Sequence, residues 1–229
     1  MIRLTWYGHA CFRLETPAVA VVTDPYTPTE AGLEPVREHA DVVVMSSASD
    51  TAHSNAAMVP GTPAVFNALE CVGRRTEIAD AVVLEAVAAS EGADRPDDPK
   101  ANALYLLELG PLSVCHMGDV GTPLAEEQLA PLRGRVDVLL ALAGGGLTIA
   151  LRDLHVVIRE LRPRVVVPMH YATPSLRYRC GPVEDFLAAY PPEQVFWHDS
   201  STLELDGGPG PAGPAIHVLR PLLDPAVPR

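Results

Sequence analysis

Lysine is all but missing from this sequence. Of 17 basic residues in 229, Lys100 is the only lysine, and 29 acidic residues leave a formal charge of −12. An acidic chain with no clustered basic stripe excludes nucleic acid and anionic membrane as principal partners. Metal ions and a small-molecule substrate or ligand remain. Paired cysteines are missing too: Cys11, Cys71, Cys115 and Cys180 are scattered and form no C-x-x-C. With no secretory leader, they read as four reduced thiols of a cytoplasmic protein. The longest mostly apolar run, 138–151, holds three glycines and is closed by Asp137 and Arg152. At about fourteen residues it falls short of the roughly twenty that span a bilayer. The serines of HSN, DSS and ATPS have no evident base partner, so a serine triad is not indicated. AGGG at 143–146 lacks the Lys-Ser/Thr of a phosphate loop and reads as a strand-to-helix turn.

What is present suffices for one sizeable core, since 48% of the residues are hydrophobic. IRLTWYG, ACFRLE and AVAVVTDP read as strands punctuated by glycine, aspartate and proline. The pattern then predicts a helix over 34–39, a strand over 42–45, strands at PAVFNA and AVVLEAVAA, and a polar, lid-like loop over 90–101. NALYLLELGPLSVCHMGD is a hairpin turning at Gly110 and Pro111. Helices capped by Thr122 and Thr148 alternate with strands over 136–143 and 164–169, and a helix over 183–190 precedes a closing strand, QVFWHDSSTLEL. This gives a domain over 1–206 followed by a Gly/Pro-rich, loosely held arm over 207–229. The composition leaves room for a homodimer.

Three apolar strands run into a histidine. LSVCH ends in His116, with Asp119 brought round by Gly118; VVVPM is followed by His170; VVVM is followed, eight residues after Met45, by His53. Side chains at the carboxyl ends of strands converge on one sheet edge, so three histidines and a carboxylate arriving there can bind a divalent metal. A single histidine beside a strand is more often a hydrogen-bonded, half-buried side chain. His155, on a helix, reads as structural, and Cys115, inside an apolar strand, as packing.

WYGHACFRLE, DPY at 24–26, CHMGDVG at 115–121 and VVVPMHY at 165–171 resemble, in order, landmarks of the metallo-β-lactamase superfamily. The similarity covers residues 1–205, and the GHACF opening resembles the branch that includes ascorbate-6-phosphate lactonase and other Zn-dependent hydrolases. The resemblance implies an α/β fold, a four-layer αββα sandwich with a metal centre between the sheet edges. It also implies a motif H-x-H-x-D-H after the strand at 42–45, and here the chain departs from it. Aligned on the closing histidine, the four positions hold Ala48, Asp50, Ala52 and His53; aligned on the preceding serine, they hold Ser47, Ser49, Thr51 and Ala52.

By the same resemblance, His116 and Asp119 survive from a first metal site, and His53, His170 and a share of Asp119 from a second. Two protein ligands hold an ion poorly, whereas three can hold one and leave a position open. The implied cofactor is therefore one ion rather than two, Zn2+ first, with Mn or Fe also suited to these ligands. Ala52 stands where the family has the aspartate that orients water, leaving Asp50 or His9 as candidate catalytic bases. The expected activity is hydrolysis of an ester, lactone or phosphoester. The alternative is a binding protein on the same scaffold, its ligands replaced by the small, mostly hydroxyl side chains of residues 46–49.

Overall fold

The computed structural model describes residues 1–48, 50–80, 82–92, 101–208 and 213–227. Ser49, Lys100 and most of the lid-like loop expected at 90–101 lie outside the described residues. Strands are numbered in chain order. The first five are β1 (Ile2–Gly8), β2 (Cys11–Glu15), β3 (Ala20–Thr23), β4 (Val42–Met45) and β5 (Ala64–Asn67). The middle six are β6 (Arg75–Ala79), β7 (Val82–Ser90), β8 (Ala101–Leu109), β9 (Leu112–His116), β10 (Val138–Leu142) and β11 (Val165–Met169). The last three are β12 (Val195–Trp197), β13 (Thr202–Leu205) and β14 (Ala215–Val218). One sheet runs β13-β1-β2-β3-β4-β5 and the other β12-β14-β11-β10-β9-β8-β7-β6.

The side-chain period of two explains how the first sheet is covered on both faces. Along β1, β2, β3 and β4, residues Leu4, Trp6, Phe12, Leu14, Val21, Val42 and Val44 enter the main core, shared with the second sheet. Their neighbours Tyr7, Cys11, Val22 and Val43 point the other way, into a smaller core with Tyr26, Leu33 and Leu223. On the second sheet, Leu154, Val157, Ile158 and Leu161 form the buried stripe of a helix over Leu151–Leu161 that joins the same main core. Two sheets packed face to face with helices outside are the αββα arrangement expected, although the other helices are short.

Several elements differ from expectation. The helix expected over 34–39 does not form; one turn of helix occupies Pro28–Ala31 instead. Pro28 supplies the pre-set φ of a first helical position, and Gly32 ends the turn at φ 78°, whereas Pro35 interrupts the 34–39 stretch. QVFWHDSSTLEL is two strands rather than one: β12 and β13 lie in different sheets. The loosely held arm is also corrected. β14 is inserted between β11 and β12, parallel to both. Ile216, Leu219 and Leu223 are buried, so 213–227 completes the domain. Apolar burial outweighs the Gly/Pro-rich approach to it.

Candidate metal centre

The site forms where strands of both sheets end. β3 and β4 are parallel, as are β9, β10 and β11, so Asp24, the loop after β4, the turn after β9 and His170 all emerge on one side. Between β1 and β2 the chain turns at His9, whose carbonyl accepts hydrogen bonds from the Trp6 indole and the His170 backbone N–H, each at 3.0 Å. His9, Asp24 and His170 have φ of 53°, 40° and 54°. Left-handed backbone costs a non-glycine residue roughly 1–2 kcal/mol. Three such residues around one point indicate a geometry held for its side chains.

Asp24 is the hub beneath the site. Fully buried, it accepts from the Ser46 backbone N–H at 2.9 Å, the Ser46 hydroxyl at 2.5 Å, Tyr105 Oη at 2.9 Å and His53 Nδ1 at 2.9 Å. Burial works to raise its pKa, but His116 and the His53 hydrogen bond prevail and hold it below the usual range. With Nδ1–H donated to Asp24, His53 turns Nε2 toward Asp119 Oδ2 at 3.5 Å and Asp50 Oδ2 at 4.0 Å. Burial would lower the His53 pKa; Asp119, Asp24 and Asp50 outweigh it and raise it to about 9.

His170 Nε2 stands 3.5 Å from Asp119 Oδ1, and its Nδ1 is 3.5 Å from Cys180 Sγ. The Asp119 backbone is fixed in turn, its N–H donating to Asn102 Oδ1 at 3.2 Å while Asn102 Nδ2 donates to Ser46 Oγ. The turn requires Gly118, at φ 59°, because a Cβ there would meet Asn102 Oδ1 at 2.5 Å and the Ala103 carbonyl at 2.8 Å.

His9 lies against both histidines, with ring centroids 4.1 Å from His170 and 4.8 Å from His53. Burial, then the neighbouring His170 and His53, push its pKa well below the ordinary value. Neither ring nitrogen closes a hydrogen bond of normal geometry, although the Ala52 carbonyl faces the ring. Tyr178 covers His9 from the other side at 4.8 Å, its buried hydroxyl also without a partner.

His116 is separated from this group. Its Nε2–H donates to the Ala10 carbonyl at 2.8 Å and its Nδ1 accepts the Gly118 N–H at 2.9 Å, while Tyr105 stacks on the ring at 4.9 Å. Both nitrogens are taken up by backbone groups in this structure, where His116 buttresses the turn that carries Asp119. Sequence reasoning also passed over Asn102, Tyr105 and the role of Asp24, and read Ser46 only as one of the small residues over 46–49. Only Asp24 carried a signal, as the acid of DPY at the end of a strand.

The residues present fit a cation. Among the described residues, His9 Nδ1 and Nε2, His53 Nε2 and Asp119 Oδ1 are buried without hydrogen-bond partners. Such orphans are costly and call for an explanation. Two sets have donor atoms within 4.8 Å of one another, His9 with His53 and His170, and Asp50 with His53 and Asp119. The 3.5 Å gaps from Asp119 to His53 and His170 exceed the roughly 2.7–2.9 Å of a charge-assisted hydrogen bond. They match the spacing of about 3.4 Å between ligands placed tetrahedrally at about 2.1 Å from zinc.

A β-lactamase superfamily domain model matches residues 3–170. The chain belongs to the β-lactamase superfamily. A UPF0173 protein of Pyrococcus abyssi is 30% identical over 204 residues, covering 81% of this superfamily member and 89% of the relative. A UPF0173 metal-dependent hydrolase of Anaeromyxobacter sp. is 28% identical over 205 residues, covering 74% of each. Among solved structures, a Thermotoga maritima protein described as a Zn-dependent hydrolase of the metallo-β-lactamase superfamily superposes with a TM-score of 0.74 at 29% identity, over 96% of this chain and 98% of that one. The sandwich is thus the superfamily's fold. No described helix is long and apolar enough to cross a membrane.

Proposed function

We propose that this protein is a metal-dependent hydrolase of an ester, lactone or phosphoester, working with a single divalent ion. The observation that carries the reading is the ring of unpartnered donors, His53 Nε2 and Asp119 Oδ1 with His170 Nε2 opposite, spaced for an ion rather than a proton. The relatives' description as metal-dependent hydrolases agrees with it. His53, His170 and Asp119 would hold the ion, a set suited to zinc, iron(II) or manganese. When bound, a divalent cation there supplies charge that polarises the scissile carbonyl or phosphoryl bond and makes water a stronger nucleophile.

The protein's own residues do the rest. Asp24 fixes the His53 tautomer through Nδ1 and so aims Nε2. Asp50, partly exposed and held by the Ala52 N–H on Oδ1 at 2.8 Å, turns Oδ2 toward the centre. Asp50 would take a proton from attacking water and return it to the leaving group. The lactone is included because the GHACF opening resembles the lactonase branch.

The test is hydrolysis of p-nitrophenyl acetate, a γ-lactone and bis(p-nitrophenyl) phosphate by chelator-stripped protein, before and after one equivalent of Zn2+, Mn2+ or Fe2+. Metal-restored turnover, abolished in His170→Ala and Asp119→Ala, is expected. Full activity in both variants overturns the metal mechanism, and no turnover with saturating metal returns the chain to the binding-protein reading.

A further inference from the structure

We infer that His9 is a metal ligand, so that the centre is rebuilt on three imidazoles and the Asp119 carboxylate, with the turn between β1 and β2 supplying what the loop after β4 has lost. The inference rests on the metal reading above and goes beyond it, because that reading needs only His53, His170 and Asp119. The sequence pointed to His9 as a base; its surroundings suit a ligand better. A base must pass its proton on, and the His9 ring is sealed from solvent, with neither nitrogen in a hydrogen bond of normal geometry. An imidazole buried with both nitrogens orphaned loses several kcal/mol of hydration unless something else takes a lone pair.

The neighbours that could do so are already in place. Ligand atoms of His9, His53 and His170 lie within 4.8 Å of one another, and the His53 and His170 rings stack nearly parallel, 11° apart, leaving His9 to close the third side. The His9 backbone is coupled to the same centre, since its carbonyl receives the His170 N–H. Its left-handed φ of 53° is a cost that the ring's position repays. The motif positions without the family's ligand hold Ala48, Asp50 and Ala52 in one alignment and Ser47, Ser49, Thr51 and Ala52 in the other. A ligand from β1–β2 therefore replaces one from after β4. Three imidazoles favour zinc, iron or cobalt over calcium or magnesium.

The experiment uses the full chain, stripped with chelator and titrated with Co2+ and Zn2+ by calorimetry and visible absorption. His9→Asn is the main variant, because asparagine tolerates left-handed backbone, and His9→Gln is the second. Hydrogen-bond partners of ligands alone change metal affinity about 10–100-fold, so loss of a ligand is expected to weaken binding by at least about 100-fold. The cobalt bands should shift, while the melting temperature of the metal-free variants stays near that of the metal-free parent. X-ray absorption of zinc-loaded wild type is expected to count three imidazoles, a readout independent of any variant's folding. Two imidazoles there, or unchanged affinity and cobalt spectrum in both variants, overturns the inference. A wild type that binds no ion overturns the underlying metal reading instead.

Discussion

Asp24→Asn isolates the electrostatic hub of the site. Asparagine has the same shape and, like aspartate, accepts the left-handed backbone that φ of 40° requires, so little backbone strain is introduced. What changes is hydrogen bonding. Oδ1 accepts from the Ser46 N–H and Tyr105, and Oδ2 from the Ser46 hydroxyl and His53. Whichever oxygen becomes the amide nitrogen, two of the four hydrogen bonds must be lost or reversed in direction. At roughly 1–3 kcal/mol for each buried group left unsatisfied, the expected loss is about 2–6 kcal/mol. That is a large part of the roughly 5–15 kcal/mol typical of a domain, and equals roughly 4–24 °C in melting temperature for a chain of this size. Losing the fixed His53 tautomer should also weaken zinc binding about 10–100-fold. Urea denaturation of the metal-free protein and zinc calorimetry read the two effects separately. Stability within about 0.5 kcal/mol of the parent, together with unchanged zinc affinity, would refute the idea that Asp24 organises this centre.

Other positions are as exposed to test. Gly118→Ala puts a Cβ 2.5 Å from Asn102 Oδ1 and 2.7 Å from the Ser46 Cβ at a φ of 59°, so a loss above about 2 kcal/mol is expected by urea denaturation. His217 bonds His198 at 2.8 Å, and burial, then His198, lower its pKa to about 4. A histidine depressed in the fold binds its proton first when unfolded, so its contribution is complete above about pH 6.5 and is lost as pH falls toward 4. After allowance for partial exposure, His217→Gln should remove about 2 kcal/mol of the acid-induced loss between those limits, seen as a shallower fall in urea midpoint. Ending the chain at residue 206 removes β14 and exposes the partners of Ile216, Val218, Leu219 and Leu223. At about 1.5–3 kcal/mol per buried side chain, this should abolish cooperative melting.

Much of this architecture was legible in the residues. The alternation of Leu4, Trp6 and Tyr7, or of Val42, Val43 and Val44, is the signature of a strand covered on both faces, and the structure uses it so. Strand-then-histidine at 116 and 170 marked the carboxyl ends where the site forms. What failed needed three dimensions. VFW and TLEL are equally good strands whether they join one sheet or two, and only the pairing of β14 decides that β12 belongs with the second. A Gly/Pro-rich approach looks loose until AIHV is seen filling a gap between strands. His116 and His9 show the same limit at the site. Both follow recognisable motifs, yet His116 spends its nitrogens on backbone while His9 keeps both unpaired, a distinction that depends on ring orientation.

The most direct test of the central claim is elemental analysis of protein purified without a histidine tag or chelator, as moles of Zn, Fe and Mn per chain. The account predicts about one equivalent in total, retained after desalting and lost in His170→Ala. No retained metal, even after incubation with excess zinc, iron(II) or manganese, would contradict it.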